Sequence, residues 1–243
     1  MIRWFVSLNR NICQGMQRAF PNFFDDPSCI EAMTENIRDV MERDHPKVIL
    51  EVGGVDRPLL PRSKEYTFCG VDIDNRPECV ELYDQFVVQS VEDPMPVKAD
   101  MILSVTLLEH VPNNAKAARS MFLSLNPGGT THHYVPCKWH PYAICLRIVG
   151  PQAQRWLIKV LRPAAVEVSG YPAFFNYCTP MAMKRLFEKS GFVDVKVQPF
   201  YRATDYFAFF VPAFLVVAAF ENLCRGLRLS TFSSGFVIRA KKD

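Results

Sequence analysis

The sequence predicts an α/β fold, a mostly parallel sheet whose strands are joined by helical crossovers. From Lys47 onward, short apolar runs alternate with stretches of helical spacing, and parallel neighbours require such connections. Clusters of Gly, Pro and Asn punctuate the alternation, as at Asn126-Pro127-Gly128-Gly129. At 243 residues, 49% of them apolar, the chain is long enough for a sizeable core and unlike a disordered polymer.

Residues 1–45 read as a helical cover. Trp4, Phe5, Leu8, Ile12 and Met16 recur at helix-like spacing, with Arg3, Arg10 and Arg18 nearby. Two readings stand: a helix covering the sheet or a pocket, or a basic amphipathic anchor. "KVILEV" (47–52) is a buried first strand and "YTFCGVDI" (66–73) a second. "FVVQSV" (86–91) is a short third, and "ADMILSV" (99–105) a fourth. "AKAARSMFLSL" (115–125) is a helix stopped by the Asn-Pro-Gly-Gly run, before a fifth strand, "TTHHYVP" (130–136).

Residues 137–180 break the rhythm. They are rich in Pro and aromatics, carry the basic piece "RWLIKVLR" (155–162), and read as an inserted lid. The alternation resumes with "TPMAMKRLFEKSG" (179–191), a helix with Thr179 as N-cap, Pro180 at its first position and Gly191 closing it. "FVDVKVQPF" (192–200) is a sixth strand, and "GFVIRAKK" (235–242) the last. Between them, "YFAFFVPAFLVVAAF" (206–220) carries no charge. As a helix it reaches only about 22 Å, against about 30 Å of hydrocarbon, so it reads as buried or interface-lying rather than spanning.

The net charge of +3 is small and evenly spread, which argues against a nucleic-acid partner. None of the eight cysteines forms a C-x-x-C pair, and several lie in apolar runs. They read as reduced thiols in a reducing, cytoplasmic setting, with no disulfide framework. Cys137 and His140 form a C-x-x-H without a second ligand pair, so no metal site is expected. No secretory signal is read at the N-terminus.

In an open parallel sheet, ligands bind beyond the carboxyl ends of the strands. There the first strand ends in "EVGGVDRP", residues 51–58, where Gly53 and Gly54 let backbone N–H groups approach a ligand. Val55 and Arg57 stand where a dinucleotide loop has further glycines, so a pyrophosphate cradle is poorly matched, and no G-K-[ST] follows for a P-loop. Asp72 lies about 20 residues on, the offset at which a carboxylate meets ribose hydroxyls; a plain polar turn, Asp72-Ile73-Asp74-Asn75, fits equally well.

"VILEVGG", "GVDID", "ADMILSVTLLEHV" and "LNPGG" follow one another in order. Together they resemble the Rossmann-like S-adenosylmethionine-dependent methyltransferases of the Leu-Glu-His-Val and Leu-x-Pro-Gly-Gly type. The resemblance spans Lys47 to about Pro136, with a compatible tail from Thr179 to Lys241. It implies a three-layer sheet of about seven strands, mostly parallel with an antiparallel last strand. The chain would form one domain: 46–136 the cofactor half, 137–180 an acceptor lid, 181–243 the rest of the sheet.

Position by position, the resemblance implies that Glu51, Gly53 and Gly54 shape the loop around the methionine amino-carboxylate. Asp72 would bind the ribose and Ile73 would pack on adenine. The acidic residue usual after the third strand falls near Ser90, with Glu92 as a substitute. Ser104 and Thr106 would lie beside the sulfonium and the acceptor. The competing readings are strand-end hydrogen bonding for Ser104 and Thr106, and core packing for Ile73.

An oxygen acceptor profits from a general base near neutral pH, for which histidine is suited. His140, past the fifth strand and beside Trp139 and Tyr142, is the first candidate. His110, with Glu109 as its partner, reads as a second or as a structural residue. His132 and His133 alternate in direction, so at most one reaches a pocket. The aromatic residues of 137–180, among them Trp156, Tyr171, Phe174, Phe175 and Tyr177, suit an apolar or sugar-stacking pocket, and Arg147, Arg155, Lys159 and Arg162 an anionic acceptor or a lipid headgroup. The leading expectation is O-directed methyl transfer to a small-molecule, sugar or lipid-linked acceptor, with peripheral membrane contact as a further expectation. A silent methyltransferase-like scaffold and a nicotinamide-dependent enzyme are the alternatives.

Overall fold

The computed structural model describes residues 2–24, 27–150 and 171–243. The chain divides into two compact units. A sheet unit comprises Ser28–Pro136, Phe174–Gln198 and Phe236–Asp243; a helical unit comprises Met1–Pro27, Cys137–Ala173 and Pro199–Gly235.

Seven strands form one sheet in the order β3-β2-β1-β4-β5-β7-β6. They are β1 (Val48–Val52), β2 (Thr67–Asp72), β3 (Gln85–Val88), β4 (Ala99–Val105), β5 (Leu125–Pro136), β6 (Val193–Phe200) and β7 (Gly235–Lys241). β1 pairs in parallel with β2 and β4, β2 with β3, and β4 with β5. β7 runs antiparallel to β5: Gly128 N donates to Lys242 O and Lys242 N to Gly129 O. Ile49, Leu50 and Val52 of β1 are fully buried, the pattern of a central parallel strand covered on both faces. The order reverses between β1 and β4, so ligand space opens at the carboxyl ends of these strands.

The helices of the sheet unit are α3 (Cys29–Asp44), α4 (Cys79–Leu82), α5 (Asn114–Ser124) and α7 (Pro180–Ser190). Ser28 caps α3 by accepting Glu31 N, and Asn113 caps α5 by accepting Lys116 N. Alternation along β5 separates the two helical layers. His133 meets the Phe187 ring of α7, whereas His132 faces the side where Arg239 is held by Asn36 of α3. The helical unit holds α1 (Ile2–Ala19), α2 (Pro21–Phe24) and α8 (Val211–Gly226), together with α6, helical over 141–150.

Two expectations are corrected at this level. The Asn126-Pro127-Gly128-Gly129 run is a bulge inside β5, not a terminator outside it. Leu125 pairs with Ala99 and Thr130 with Met101, and Asn126 Nδ2 donates to Asp100 Oδ1. Thr179 occupies the N-cap position of α7, but its side chain makes no capping bond; Pro180 and the left-handed Gly191 (φ 106°) bound the helix as expected.

Candidate active site

The loop after β1 is fixed by its own side chains. Glu51 is buried, and both of its carboxylate oxygens accept Leu59 N (2.9 and 3.0 Å), closing the loop across residues 53–58. Gly53 has φ +84° and donates its N–H to Val71 O, tying the loop to β2. A Cβ at Gly54 would collide with the Tyr83 hydroxyl and lie 2.9 Å from Glu51 Cδ, so this glycine answers close packing from below. Asp56 is paired with Arg76 (2.6 Å), and Cys79 Sγ reaches Val55 O (3.5 Å); both link the loop to the chain after β2.

Val55 stands where a second glycine is usual and takes φ 44°, a strained conformation for a β-branched residue. The glycine is missing but its backbone conformation is kept. The loop is held by its own hydrogen bonds and ion pairs.

Asp72 ends β2 half-buried, with Oδ1 accepting Asp74 N (2.9 Å). Burial pushes its carboxyl above the ordinary range, partly offset by backbone N–H groups. Ile73 beside it is 64% exposed, which removes the core-packing reading and leaves an apolar face in water at the tip of β2. Ser90 Oγ accepts Glu92 N, and Glu92 Oε1 accepts Asn113 N at the start of α5. The carboxylate of Glu92 thus braces α5.

At the end of β4 the two sequence candidates part company. Thr106 is exposed and holds a left-handed φ of 52°, the strain that gathers at functional sites. Ser104 is completely buried. Its hydroxyl lies 2.7 Å from His133 Nδ1, and His133 Nε2 meets the Thr131 hydroxyl. Enclosed in this way, the Ser104 hydroxyl is engaged in bonding between β4 and β5.

Among the histidines, neither His132 nor His133 reaches a pocket. Burial pulls them down to about 4 and about 3, so both stay neutral. His140 is 1% exposed, with Nε2 3.2 Å from Glu221 Oε1 and Nδ1 accepting Tyr142 N (3.3 Å). Both ring nitrogens are engaged by partners inside the helical unit. His110 is one-third exposed, with Nε2 3.7 Å from Glu109 Oε1. Glu109 itself is buried, Oε2 has no hydrogen-bond partner among the described residues, and burial holds its carboxyl up at about 8. Its backbone oxygen accepts Phe174 N and Phe175 N, which fixes the chain entering α7.

Of the aromatic residues of 137–180, Trp139, Tyr171, Phe174 and Tyr177 are exposed, whereas Phe175 is buried. Arg147 and Lys138 lie over the Trp139 ring. Trp156, Arg155, Lys159 and Arg162 lie outside the described residues. Sequence reasoning missed Tyr83, which sits under Gly54, and Leu107, whose side chain closes on Gly53. The aromatic and apolar character of these positions reads as core and carries no sign of which loop they support.

The sheet order, the fixed loop after β1 and Asp72 with an outward Ile73 on β2 form one edge of the sheet unit. A family model described as a methyltransferase domain matches residues 8–197. The ubiquinone biosynthesis O-methyltransferase of Pseudomonas entomophila is 26% identical over 113 residues, which is 45% of this chain and 44% of that protein. This chain therefore matches under half the length of that relative. An Archaeoglobus fulgidus S-adenosylmethionine-dependent methyltransferase superposes with TM-score 0.52 at 13% identity, covering 93% of this chain and 98% of that one. A possible histamine N-methyltransferase from Thermotoga maritima gives 0.51 at 14%, covering 98% and 100%. Phosphoethanolamine N-methyltransferase 2 of Haemonchus contortus, in complex with S-adenosylmethionine, gives 0.50 at 12%, with 86% of this chain on 52% of that one. At such identities the structures speak for the fold; the family match over 8–197 shows that this chain belongs to the methyltransferase-domain family.

Proposed function

We propose that this protein transfers a methyl group from S-adenosylmethionine to an oxygen of a small-molecule, sugar or lipid-linked acceptor. The observation that carries the reading is the geometry at the carboxyl edge of the sheet unit. A loop stapled by Glu51, with Gly53 in the left-handed region, stands beside Asp72 and an exposed Ile73. These residues fit the cofactor's parts without a pyrophosphate cradle. Gly53 and Gly54 offer backbone to the amino-carboxylate, Asp72 accepts from the ribose hydroxyls, and Ile73 covers adenine. Bound there, the cofactor supplies an electrophilic methyl on a sulfonium, so alignment of the nucleophile provides much of the rate.

Thr106, exposed and strained at the end of β4, is the residue we assign to acceptor positioning. His110, one-third exposed and facing the Glu109 carboxyl, is the remaining histidine suited to taking a proton from an oxygen acceptor. The name of the Pseudomonas relative supports oxygen over nitrogen.

Incubation with methyl-labelled S-adenosylmethionine and fractionated metabolite extracts tests the reading. Label entering a hydroxyl-bearing acceptor, reduced at least tenfold in Asp72→Ala, is the expected result. Cofactor binding without transfer to any fraction would make the chain a silent scaffold instead.

A further inference from the structure

The helical unit keeps many of its large apolar side chains in water, and they are ordered by face. α1 has three faces at 100° per residue. Val6, Asn9 and Cys13 form its buried seam. Asn9 Oδ1 accepts Val211 N of α8 (3.0 Å), and Cys13 joins Phe24, Ala208, Phe214 and Ala218 in a core cluster. The second face carries Arg3, Arg10 and Arg18. The third carries Trp4, Leu8 and Ile12 at i, i+4 and i+8, exposed by 69%, 42% and 45%, with Phe5 alongside.

On α8, Phe214, Val217, Ala218, Glu221 and Cys224 turn inward. The opposite face is Leu215, Val216, Ala219 and Leu223, all exposed and none charged, with Val216 at 70%. Solvent-facing helix surfaces are ordinarily polar, and single exposed apolar residues need no explanation. Two contiguous apolar faces in one unit do.

Charge names the occupant. The segments of the helical unit hold eleven Lys and Arg against five Asp and Glu, whereas those of the sheet unit hold seventeen against twenty. Apolar faces on a basic unit match a surface that is apolar beneath and anionic above. No described helix is long and apolar enough to cross a membrane, so these faces suit a helix lying in the headgroup plane.

We propose that the helical unit docks on an anionic lipid surface, laying the Trp4–Leu8–Ile12 stripe of α1 and the Leu215–Val216–Leu223 face of α8 into the boundary between headgroups and acyl chains. The exposed Arg3 and Arg18 of α1 extend their stems beside the apolar stripe and meet lipid phosphates. Docking needs no methyl donor, so it stands or falls separately from the methyl-transfer reading.

Flotation of the full chain with vesicles tests it, without cofactor. The protein is expected to float with mixed phosphatidylcholine–phosphatidylserine vesicles at low salt, to be released as salt rises, and to ignore pure phosphatidylcholine. Leu8→Glu/Ile12→Glu and Val216→Glu/Leu223→Glu each lower the bound fraction by about tenfold or more. Tryptophan emission shifts to the blue on binding, and Trp4→Phe loses most of that shift while still floating. Should a Glu variant misfold by circular dichroism, the salt series and the Trp4→Phe arm decide the matter. A wild-type chain that stays with the soluble fraction at low salt overturns the proposal. So does a dimer in sedimentation velocity that the same substitutions split, which would assign the faces to a second copy.

Discussion

In the sheet unit, Glu51 and Glu109 are buried carboxyls that meet no Lys or Arg among the described residues, and burial lifts both to about 8. In the helical unit, Glu221 is buried just as deeply, yet Arg202 meets its Oε2 at 3.0 Å. Ala203 N donates to its Oε1 at 2.7 Å, and the Thr204 hydroxyl and His140 complete its shell. The difference is one cation and a full set of donors. It separates a carboxylate that closes a single loop (Glu51) and a sparsely bonded one (Glu109) from a hub that ties three segments of one unit together.

Removing the hub is the largest break. Glu221→Ala leaves the Arg202 charge and the His140 ring without their buried partner and is expected to cost about 3–5 kcal/mol in urea unfolding. If it costs less than Leu8→Glu, the contrast between the units fails.

Titration sharpens the same comparison. Glu51 and Glu109 bind protons in the folded chain up to about 8 and in the unfolded chain only to their ordinary 4.5, so they add stability that is full below 4.5 and lost as pH rises to about 8. His132 and His133 act in the opposite sense. Their folded values of about 4 and about 3 lie below the ordinary 6.5, so their contribution is full above 6.5 and fades as pH falls. Stability should therefore be greatest between about pH 4.5 and 6.5, and fall by about 2–4 kcal/mol towards pH 8. Glu51→Gln and Glu109→Gln, measured by thermal unfolding across pH, should flatten the alkaline limb. An unchanged limb would remove these two carboxyls from the account.

The loop offers a smaller test. Gly54→Ala forces a Cβ onto the Tyr83 hydroxyl and should cost about 1–3 kcal/mol. Tyr83→Phe deletes a buried hydroxyl that has no hydrogen-bond partner, so it should be close to neutral alone and recover part of the loss in the double variant. Additive losses would mean that the glycine serves ligand approach rather than packing. Smallest of all, Leu8→Glu on the exposed face of α1 should change stability by no more than about 0.5 kcal/mol.

Most strands were legible because buried parallel strands are unbroken apolar runs: β4 coincides with "ADMILSV", and β1 and β2 lie within their expected runs. The bulge in β5 was not, because its turn residues are held by Lys242 and Asp100, partners that a local reading does not see. The site divides in the same way. Glu51, Gly53 and Asp72 stand at strand ends, where position follows from the alternation. The burial of Ser104 and His140 was not legible, because their partners, His133 and Glu221, lie 29 and 81 residues further along. Val55 teaches the converse, since a residue that breaks the glycine pattern still keeps the glycine's left-handed backbone.

On the proposed reading, the carboxyl edge of the sheet unit holds S-adenosylmethionine through Asp72 and the loop after β1. Calorimetric titration of the full chain with S-adenosylhomocysteine, beside the Asp72→Ala variant and a nicotinamide dinucleotide, tests it most directly. The expected result is one site for S-adenosylhomocysteine, weakened about 10- to 100-fold in Asp72→Ala, and no heat from the dinucleotide. No binding of S-adenosylhomocysteine at millimolar concentration, or equal binding by wild type and Asp72→Ala, would contradict it.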